Sequence, residues 1–330
     1  MNIGIIGFGV QGRIRFNTIK TLNKKYEIKM ISDIKKPDNI DLSNIEFTDD
    51  YRKITNNKNI DIIIVCTPNF LIKNIVIESL NKGKHVFCEK PPGMNLAETK
   101  EMIRAEKNSY GLKLMFGFNH RHHDSVIRAK KVIESGELGK VLWMRGRYGK
   151  SVNEDFCKTW RAKKSLAGGG IFLDQGIHML DLFLLMVDDF DEVKAYFSTL
   201  FWNLDVEDNV FAIFRNKKGQ VASLHSTMTQ WRHLFSFEVF LEKGHIVING
   251  LLTTSGSYGQ EQLSIAKYCR TGPTVSWDKE ENRVYNINTS WESEIKVFFK
   301  CIEDNLDIPV GNSRDAYKLM RLVDMVYKEK

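Results

Sequence analysis

Short apolar strands alternate with helical patterns over the first third of the chain. Residues 2–7 and 27–32 have the pattern of strands, and residues 10–22 between them place apolar side chains at the spacing of one helix face. Residues 60–66 form a nearly continuous run of β-branched side chains, without the polar alternation of a half-exposed strand. Such a run is typical of a strand buried on both faces of a parallel sheet. The pattern therefore predicts an α/β domain with a Rossmann-type, doubly wound parallel sheet.

The pattern changes after about residue 120. A helix predicted near 124–135 leads into long strand-like runs without helices between them, namely 141–149, 190–201, 209–216, 219–229, 235–242 and 245–250. These runs predict a large, mainly antiparallel, open sheet, interrupted by an apolar helix over 171–187. Residues 251–289 give no clear pattern, and two helices are predicted at 290–304 and 313–328. We therefore predict a Rossmann domain over 1–120 and a substrate-binding and oligomerisation α/β domain over 121–330. The last two helices are candidates for packing back on the first domain.

The composition is that of a globular protein with an ordinary core, because 42% of the 330 residues are hydrophobic and 27% are charged. The net charge of +7 comes from scattered basic pairs rather than one tract, so we expect no nucleic-acid partner. No apolar run reaches the roughly 18 residues of a membrane span, and no export signal precedes the first strand, so we expect no membrane association. Five cysteines without a C-x-x-C pair predict a reducing, cytoplasmic location and argue against a zinc site.

A glycine-rich turn follows the first predicted strand and precedes the first predicted helix. Its sequence is Gly7-Phe8-Gly9-Val10-Gln11-Gly12, a G-x-G-x-x-G motif. In dinucleotide-binding folds the first glycine permits a tight turn, the second admits the pyrophosphate, and the third lets helix and strand pack closely. Asp33 follows the second strand, 21 residues after Gly12, where a carboxylate would bind the adenosine ribose hydroxyls and repel a 2′-phosphate. The motif predicts NAD as the cofactor, with NADP less favoured although Lys35 and Lys36 lie just beyond.

Two further polar segments follow later strands of the predicted parallel sheet. Thr67-Pro68-Asn69 follows the strand over 60–66, and Glu89-Lys90-Pro91 follows a strand predicted over 85–88. Ligands of open α/β sheets bind along the carboxyl edge, so both segments are candidates for cofactor contacts. A lysine at this edge could also donate a hydrogen bond to the reacting oxygen of a substrate. The alternative for Lys90, taken alone, is a solvated surface residue.

The most informative segment is the run over residues 168–181, in which three glycines lead into an apolar helix. Asp174, His178 and Asp181 recur at spacings of four and three and would share one face of a regular helix. Unpaired ionisable groups are costly to bury, so a row of them in an apolar helix needs a reason. One reason is a structural Asp174–His178 pair, and the other is a general acid or base held in a pocket.

Together these residues resemble the GFO/IDH/MocA oxidoreductases, a family named after glucose–fructose oxidoreductase and inositol dehydrogenase. The resemblance extends from residue 1 to the C-terminal helix. It rests on the order and spacing of the G-x-G-x-x-G turn, Thr67-Pro68-Asn69, Gly83-Lys84-His85-Val86, Glu89-Lys90-Pro91, Gly117-Phe118-Asn119-His120-Arg121, Gly136-Glu137-Leu138-Gly139-Lys140-Val141, Trp160-Arg161 and the 168–181 segment. It implies hydride transfer between a nicotinamide cofactor and a secondary alcohol, usually of a sugar or cyclitol. It also implies a homodimer or homotetramer formed through the open sheet.

The resemblance implies roles for individual residues. Lys90, Asp174 and His178 match the family's catalytic trio: His178 would accept the proton during oxidation, Asp174 would orient the substrate or His178, and Lys90 would polarise the reacting oxygen. A cis peptide bond before Pro91 is also implied. Cofactor contacts are predicted for Gly7, Phe8, Gly9, Val10, Gln11, Gly12, Asp33, Thr67, Pro68, Asn69, Glu89, Lys90 and Asn119, and substrate contacts for Arg121, Trp160, Arg161, Asp174 and His178.

Some alternatives stay open at this point. The alternative for Trp160 and Arg161 is a core tryptophan beside a surface arginine, and Asp181 is expected to orient the 171–187 helix or a neighbour rather than do chemistry. The histidines at 120, 122 and 123 have only Asp124 as a nearby carboxylate, so no metal site is predicted.

The chain also departs from the family pattern. Ile72 stands where many relatives have a histidine. Pro92-Gly93 replaces a common Leu-Ala, a variant similar to members associated with surface-polysaccharide and nucleotide-sugar pathways. We expect a sugar-like small-molecule substrate, whose identity and direction of reaction the sequence leaves open. The alternative function is a non-catalytic, NAD(P)-sensing regulator of the same fold, which the presence of Lys90 and His178 disfavours.

Overall fold

A computed structural model describes residues 1–22, 25–38, 40–268 and 276–330. The cysteine at position 269 therefore lies outside the described residues. The chain is organised as two compact units. The first comprises Met1–Asn119, Ser165–Gly168 and Trp291–Met320, and the second comprises His120–Lys164, Gly169–Ser290 and Arg321–Lys330. Each unit is thus assembled from segments that are distant in sequence.

The first unit contains a six-stranded parallel sheet and the helices that connect its strands. The strands are β1 Asn2–Ile6, β2 Glu27–Ser32, β3 Glu46–Thr48, β4 Ile62–Val65, β5 His85–Glu89 and β6 Leu114–Gly117, in the order β3-β2-β1-β4-β5-β6. The helices are α1 Val10–Lys20, α2 Arg52–Thr55, α3 Asn69–Asn81 and α4 Leu96–Asn108. The order reverses between β1 and β4, which is the switch point where such sheets bind ligands.

The central strand β4 is apolar throughout, as expected for a strand buried on both faces of a parallel sheet. All four residues of β4 are fully buried. Ile62 and Ile64 share a core cluster with Phe16 of α1 and with Phe298 of a late helix, α9 (Ser290–Glu303). The first unit therefore takes part of its core from the C-terminal region of the chain.

The second unit contains an eight-stranded sheet in which only β7 and β10 pair in parallel among the described strands. The strands are β7 Val141–Ser151, β8 Glu192–Ser198, β9 Asn209–Arg215, β10 Val221–Thr227, β11 Thr229–Leu241, β12 Gly244–Asn249, β13 Glu261–Lys267 and β14 Glu281–Tyr285, in the order β14-β13-β12-β11-β7-β10-β9-β8. The other α-helices described in the chain are α5 Asp124–Glu134, α6 Glu154–Cys157, α7 Lys164–Ala167, α8 Ile177–Val187 and α10 Ser313–Tyr327. The predicted large, mainly antiparallel sheet is confirmed.

One face of this sheet is covered by α8, and the other is open. Gly146 of β7 makes room for the helix, because a Cβ there would lie 2.2 Å from Cγ of Met179. On the opposite face, alternate side chains such as Tyr196, Phe211 and Ile213 are exposed. The period of two along these strands thus separates a packed face from an open one.

The segment predicted as one helix over 171–187 is two elements. Phe172–Gly176 is a π-helical turn, and α8 begins only at Ile177. A π turn has more residues per turn than an α-helix, so it breaks the spacing that would have put Asp174 on the same face as His178 and Asp181. The predicted helix over 171–187 is therefore present, but a π turn interrupts its regular α-helical spacing.

Two other differences concern strands. The predicted run over 219–229 is divided between β10 and β11, and the segment 251–289 contains β13 and β14.

Among the described residues, Lys164–Val187 is the one helical stretch long and apolar enough to cross a membrane. However, 78% of its most apolar window is buried inside the protein, as in a core helix.

Candidate active site

Main-chain packing requires the first and the last glycine of the turn between β1 and α1. Gly7 has a φ of +88°, and a Cβ on it would lie 2.6 Å from the carbonyl carbon of Cys66. A Cβ on Gly12 would lie 2.1 Å from the carbonyl oxygen of Gly7. The tight turn and the close packing of helix on strand therefore have a direct steric cause.

Gly9 differs because no contact of the described residues requires a glycine there. A Cβ on Gly9 would meet no heavy atom within 4 Å, and its φ of −70° suits any residue. It precedes α1, where no described side chain caps the first backbone N–H groups. Val10 beside it is 73% exposed. This open surface of N–H groups at a helix N-terminus fits the pyrophosphate of a dinucleotide.

Asp33 lies directly after β2 and braces the same turn. Its Oδ2 accepts a 2.5 Å hydrogen bond from the backbone N–H of Phe8. The half-buried carboxylate is thereby held beside the glycine turn, as a ribose-binding group would have to be. The ammonium of Lys35 lies 3.7 Å from Asp38, and its side chain is largely exposed. Asp33 is therefore the charged group that the turn itself orients.

Two buried polar atoms of this region have no hydrogen-bond partner within the part of the chain that is described. They are Oε1 of Gln11, within the glycine motif, and Oγ1 of Thr67. Thr67 adjoins the turn, because a Cβ on Gly7 would lie 2.8 Å from its backbone nitrogen. Buried polar atoms are nearly always satisfied, so two orphaned oxygens beside the turn point to a ligand with hydrogen-bond donors. The residues present fit a dinucleotide.

Other predicted cofactor residues lie after β4, β5 and β6. The side-chain amide of Asn69, which follows Pro68 at the start of α3, donates a 2.7 Å hydrogen bond to the carbonyl oxygen of Ala167. Lys90 is half-buried, and its peptide bond to Pro91 is cis, as the resemblance implied. Asn119 is buried two residues beyond the end of β6. Their contacts with a cofactor stay predictions.

The structure gives Glu89 a partner that the sequence did not indicate. Glu89 accepts a 2.7 Å hydrogen bond from Nε of Arg15, and Glu294 of α9 accepts a 2.5 Å hydrogen bond from Nη2 of the same side chain. The fully buried guanidinium lies 4.3 Å from the ring centroid of Phe87 and 4.6 Å from that of Trp291. A cofactor contact of Glu89 stays a prediction, and its observed contact ties β5 to α1.

Arg15, Glu89 and Glu294 are together called the Arg15 triad. In this triad, two carboxylates surround one guanidinium. Burial raises the pKa of Glu294 to about 7, although the charge of Arg15 acts in the opposite direction. Burial alone would lower the pKa of Arg15, but Glu89 and Glu294 together raise it. The triad therefore takes up a proton near neutral pH. Arg15 and Glu294 are 279 residues apart, so no local pattern could have paired them.

In the second unit, the glycines before α8 are required by residues far along the chain. A Cβ on Gly169 would lie 1.9 Å from the hydroxyl of Tyr327, and a Cβ on Gly170 would lie 2.2 Å from the carbonyl oxygen of Glu207. The buried Glu207 carboxylate accepts 2.8 Å hydrogen bonds from the Gly170 N–H and from the Tyr327 hydroxyl. Burial, reinforced by the charge of Glu207, raises the pKa of Tyr327, which keeps its hydroxyl a donor. These contacts fix where the π turn begins.

Asp174 lies in the π turn and pairs with a cation from β7. Nζ of Lys150 donates a hydrogen bond to one carboxylate oxygen of Asp174, and Nε of Arg161 lies 3.9 Å from the other. The Arg161 guanidinium also lies over the ring of Trp160, 4.4 Å from its centroid. Three predicted substrate residues are thus brought together. Lys150, which no sequence motif indicated, belongs to the same group.

His178, on the first turn of α8, stacks on His120. The two ring centroids are 3.9 Å apart, and the angle between the planes is 21°. Nε2 of His120 lies 3.0 Å from the hydroxyl oxygen of Tyr148 on β7. All three side chains are buried. In the sequence, His120 belongs to a family motif and to a histidine cluster, but neither assigned it a role, and no motif indicated Tyr148.

Arg121 is paired within the protein. Its Nε and Nη2 donate hydrogen bonds of 2.7 and 2.6 Å to the two carboxylate oxygens of Asp181, and both side chains are buried. Asp181 thus contacts a neighbour, and a substrate contact of Arg121 stays a prediction. Nδ1 of His123 lies 2.8 Å from Oε2 of Glu261, so the neighbouring histidines have separate partners.

Family models match both parts of the chain. Residues 1–118 match the oxidoreductase family model with an NAD-binding Rossmann fold, and residues 126–247 match the GFO/IDH/MocA C-terminal domain. The uncharacterized oxidoreductase YrbE of Bacillus subtilis strain 168 is 33% identical over 322 residues, which cover 94% of this chain and 89% of that protein. The chain belongs to the GFO/IDH/MocA oxidoreductase family. The resemblance stated from the motifs is confirmed, and so is an NAD-binding Rossmann domain in the N-terminal part.

Two further comparisons concern levoglucosan dehydrogenase, another protein similar to this GFO/IDH/MocA chain. The enzyme from Pseudarthrobacter phenanthrenivorans is 31% identical over 231 residues, covering 61% of this chain but only 58% of that protein. A solved structure of levoglucosan dehydrogenase in complex with NADH and L-sorbose has a TM-score of 0.84 at 24% identity, covering 100% of this chain and 96% of that one. The structural likeness supports the fold, a parallel-sheet unit and a unit with a large, mostly antiparallel sheet.

Proposed function

We propose that this protein is an NAD(H)-dependent oxidoreductase that transfers a hydride between the nicotinamide and a secondary alcohol or ketone of a sugar, cyclitol or nucleotide sugar. The observation that carries the proposal is that a chain of this family has Lys90, Asp174 and His178 together with a complete dinucleotide turn. A protein that only sensed the cofactor would need the turn but not three titratable residues at these motif positions.

The chain's own residues supply the acid–base chemistry. When bound, the nicotinamide takes up or supplies the hydride. In the direction of oxidation, His178 accepts the hydroxyl proton at an imidazole nitrogen, and Lys90 donates a hydrogen bond to the oxygen as negative charge develops on it. Asp174, held by Lys150, accepts a hydrogen bond from a substrate hydroxyl and so orients the sugar. In the direction of reduction, His178 and Lys90 act in reverse.

We propose NAD rather than NADP as the cofactor. The Asp33 carboxylate is held next to the glycine turn by the Phe8 N–H, so a 2′-phosphate would meet a negative charge there. Lys35 extends into solvent near Asp38 and offers that phosphate little compensation. Titration with NADH and NADPH by ligand fluorescence tests this choice. We expect NADH to bind at least about tenfold more tightly, a difference of about 1.4 kcal/mol.

The open face of the second sheet supports a homodimer or homotetramer. Tyr196, Phe211 and Ile213 lie on neighbouring strands and are 81%, 54% and 56% exposed. Contiguous apolar surface of this kind is typical of protein interfaces. We propose that a second copy of the chain covers it, and analytical ultracentrifugation would give the stoichiometry. The cysteine pattern supports a cytoplasmic location.

The deciding experiment is a screen of sugars, cyclitols and nucleotide sugars for thermal stabilisation in the presence of NAD⁺. A ligand of the native state raises the melting temperature by mass action. We expect NAD⁺ alone to stabilise the protein, and at least one sugar-like compound to stabilise it further and to yield NADH. Stabilisation by NAD⁺ without turnover of any compound would favour the regulatory alternative. No stabilisation by NAD⁺ or NADP⁺ would contradict both.

A further inference from the structure

The face of the His178 ring is covered by the ring of His120. The centroids are 3.9 Å apart and the planes nearly parallel, at 21°, so the contact uses the ring faces and not the ring nitrogens. Both side chains are almost fully buried, with 6% and 4% of their surface exposed. A stacked neighbour restricts rotation of an imidazole about its side-chain bonds, which sets the directions of the two nitrogens.

His120 is itself fixed in its plane by a buried tyrosine. Its Nε2 lies 3.0 Å from the hydroxyl oxygen of Tyr148. Tyr148 is on β7, in the interior of the eight-stranded sheet, and packs edge to face against Phe235 with ring centroids 5.3 Å apart. Burial is the largest cause of the raised pKa of Tyr148, so its hydroxyl keeps its proton. The sheet thus holds His120, and His120 holds His178.

The stack also constrains charge. Two imidazolium rings at 3.9 Å would repel each other in a buried setting, so the pair favours at most one positive charge.

We propose that His120, held by Tyr148, is a positioning residue for His178: it fixes the plane of the catalytic imidazole. This inference rests on the proposed function, in which His178 is the proton acceptor. His120 does not touch the substrate in this proposal and acts only through His178.

The test uses three variants of the full-length protein. His120→Ala removes the stack, and His120→Phe keeps a ring that can stack but cannot bond to Tyr148. His85→Ala is the matched control, because His85 is also partly buried and accepts one hydrogen bond, from the Lys113 N–H, but lies at the start of β5, away from Lys90. Each variant is examined by steady-state kinetics with a turned-over compound, by NADH binding, and by a crystal structure.

We expect His120→Ala to lower kcat by about 10- to 100-fold, as a misplaced catalytic group does, with KM and the NADH Kd changed by less than about threefold. In its crystal structure the His178 ring should be rotated or occupy two orientations. His120→Phe should keep the ring orientation and restore kcat to within about tenfold of the wild type. His85→Ala should match the wild type in all three measurements.

Two results would overturn the proposal. One is a His178 ring that keeps a single, wild-type orientation in His120→Ala, and the other is an unchanged kcat where the wild type turns over a sugar. The crystal structures separate this outcome from failure of the proposed function. If the wild type oxidises no sugar-like compound, the proposed function fails, yet the orientation of His178 in the variants still decides whether His120 positions it.

Discussion

Two buried arginines, one in each unit, are neutralised in different ways. Arg15 of the first unit bonds to two carboxylates, Glu89 and Glu294, whereas Arg121 of the second unit donates two hydrogen bonds to the carboxylate of Asp181. The Arg121–Asp181 contact is itself balanced, because it joins one cation to one anion. The Arg15 triad carries one carboxylate too many unless it binds a proton. Burial alone therefore does not determine whether a carboxylate stabilises the protein. The number of positive and negative charges around the carboxylate determines it.

The difference separates a structural pair from a titrating group. The Arg121–Asp181 contact is bidentate, a geometry in which each carboxylate oxygen accepts one N–H of the guanidinium. The triad joins α1, which begins at the glycine turn, to β5, which ends just before Lys90, and to α9. Its proton is thus held by elements that carry the proposed cofactor residues. The same substitution of a carboxylate by an amide should have opposite effects in the two places.

The largest expected effect is on the balanced pair. Asp181→Asn removes the carboxylate charge that accepts two hydrogen bonds from the buried Arg121, and it should lower the free energy of unfolding by about 3–5 kcal/mol. Glu238→Gln is the matched control, since Glu238 also pairs with an arginine through two hydrogen bonds, but the Arg145 side chain is 53% exposed. That variant should stay within about 1 kcal/mol of the wild type. If urea unfolding shows that Asp181→Asn and Glu238→Gln lose equal amounts of unfolding free energy, the contrast between buried and exposed pairs is removed.

The next effect concerns catalysis and separates the two units by function. His178→Ala should lower kcat by about 100-fold, equivalent to about 2.7 kcal/mol, because the proposed proton acceptor is gone. NADH binding should be unchanged, since the glycine turn and Asp33 belong to the first unit. The control is His245→Ala, which removes a histidine that packs on Phe240 and bonds to Glu280. Wild-type turnover by His178→Ala would refute its role.

The third effect is on the unbalanced triad and depends on pH. Burial raises the pKa of Glu294 from 4.5 to about 7 in the folded protein. Its favourable contribution to the free energy of unfolding is therefore complete below pH 4.5 and is lost as the pH rises through 7. Glu294→Gln cannot ionise and escapes this loss. Relative to the wild type, the variant should gain about 2 kcal/mol of unfolding free energy between pH 5 and pH 8. If urea unfolding shows a difference in unfolding free energy between Glu294→Gln and the wild type that does not change with pH, the shifted pKa is contradicted.

The smallest expected effect tests the glycine turn itself. Gly9→Ala places a Cβ where nothing lies within 4 Å, so stability should be unchanged, whereas NADH affinity should fall about tenfold because the pyrophosphate loses room. Gly12→Ala places its Cβ 2.1 Å from the Gly7 carbonyl oxygen and should cost about 1–3 kcal/mol of stability. Loss of stability with unchanged affinity in Gly9→Ala would assign this glycine to the fold.

The sequence was informative where backbone geometry or local pattern carries the information. The parallel strands, the glycine turn and the position of Asp33 beside it follow from short motifs, and β4 is buried as its unbroken apolar run predicts. The 171–187 segment shows the limit: its apolar residues predicted the helix, but nothing in them indicated the π turn at Asp174. The glycine run before it is a local feature of the sequence, yet Gly169 and Gly170 are required by Tyr327 and Glu207.

The sequence by itself determined the family, the order of elements and the identities of Lys90, Asp174 and His178, because these depend on residues close together in the chain. Only the tertiary structure decided their partners. Lys150 reaches Asp174 from a strand, and His120 reaches His178 across 58 positions. The physical reason is that a buried charge or ring is satisfied by whatever the fold brings within a few ångströms, and distance along the chain places no limit on that choice.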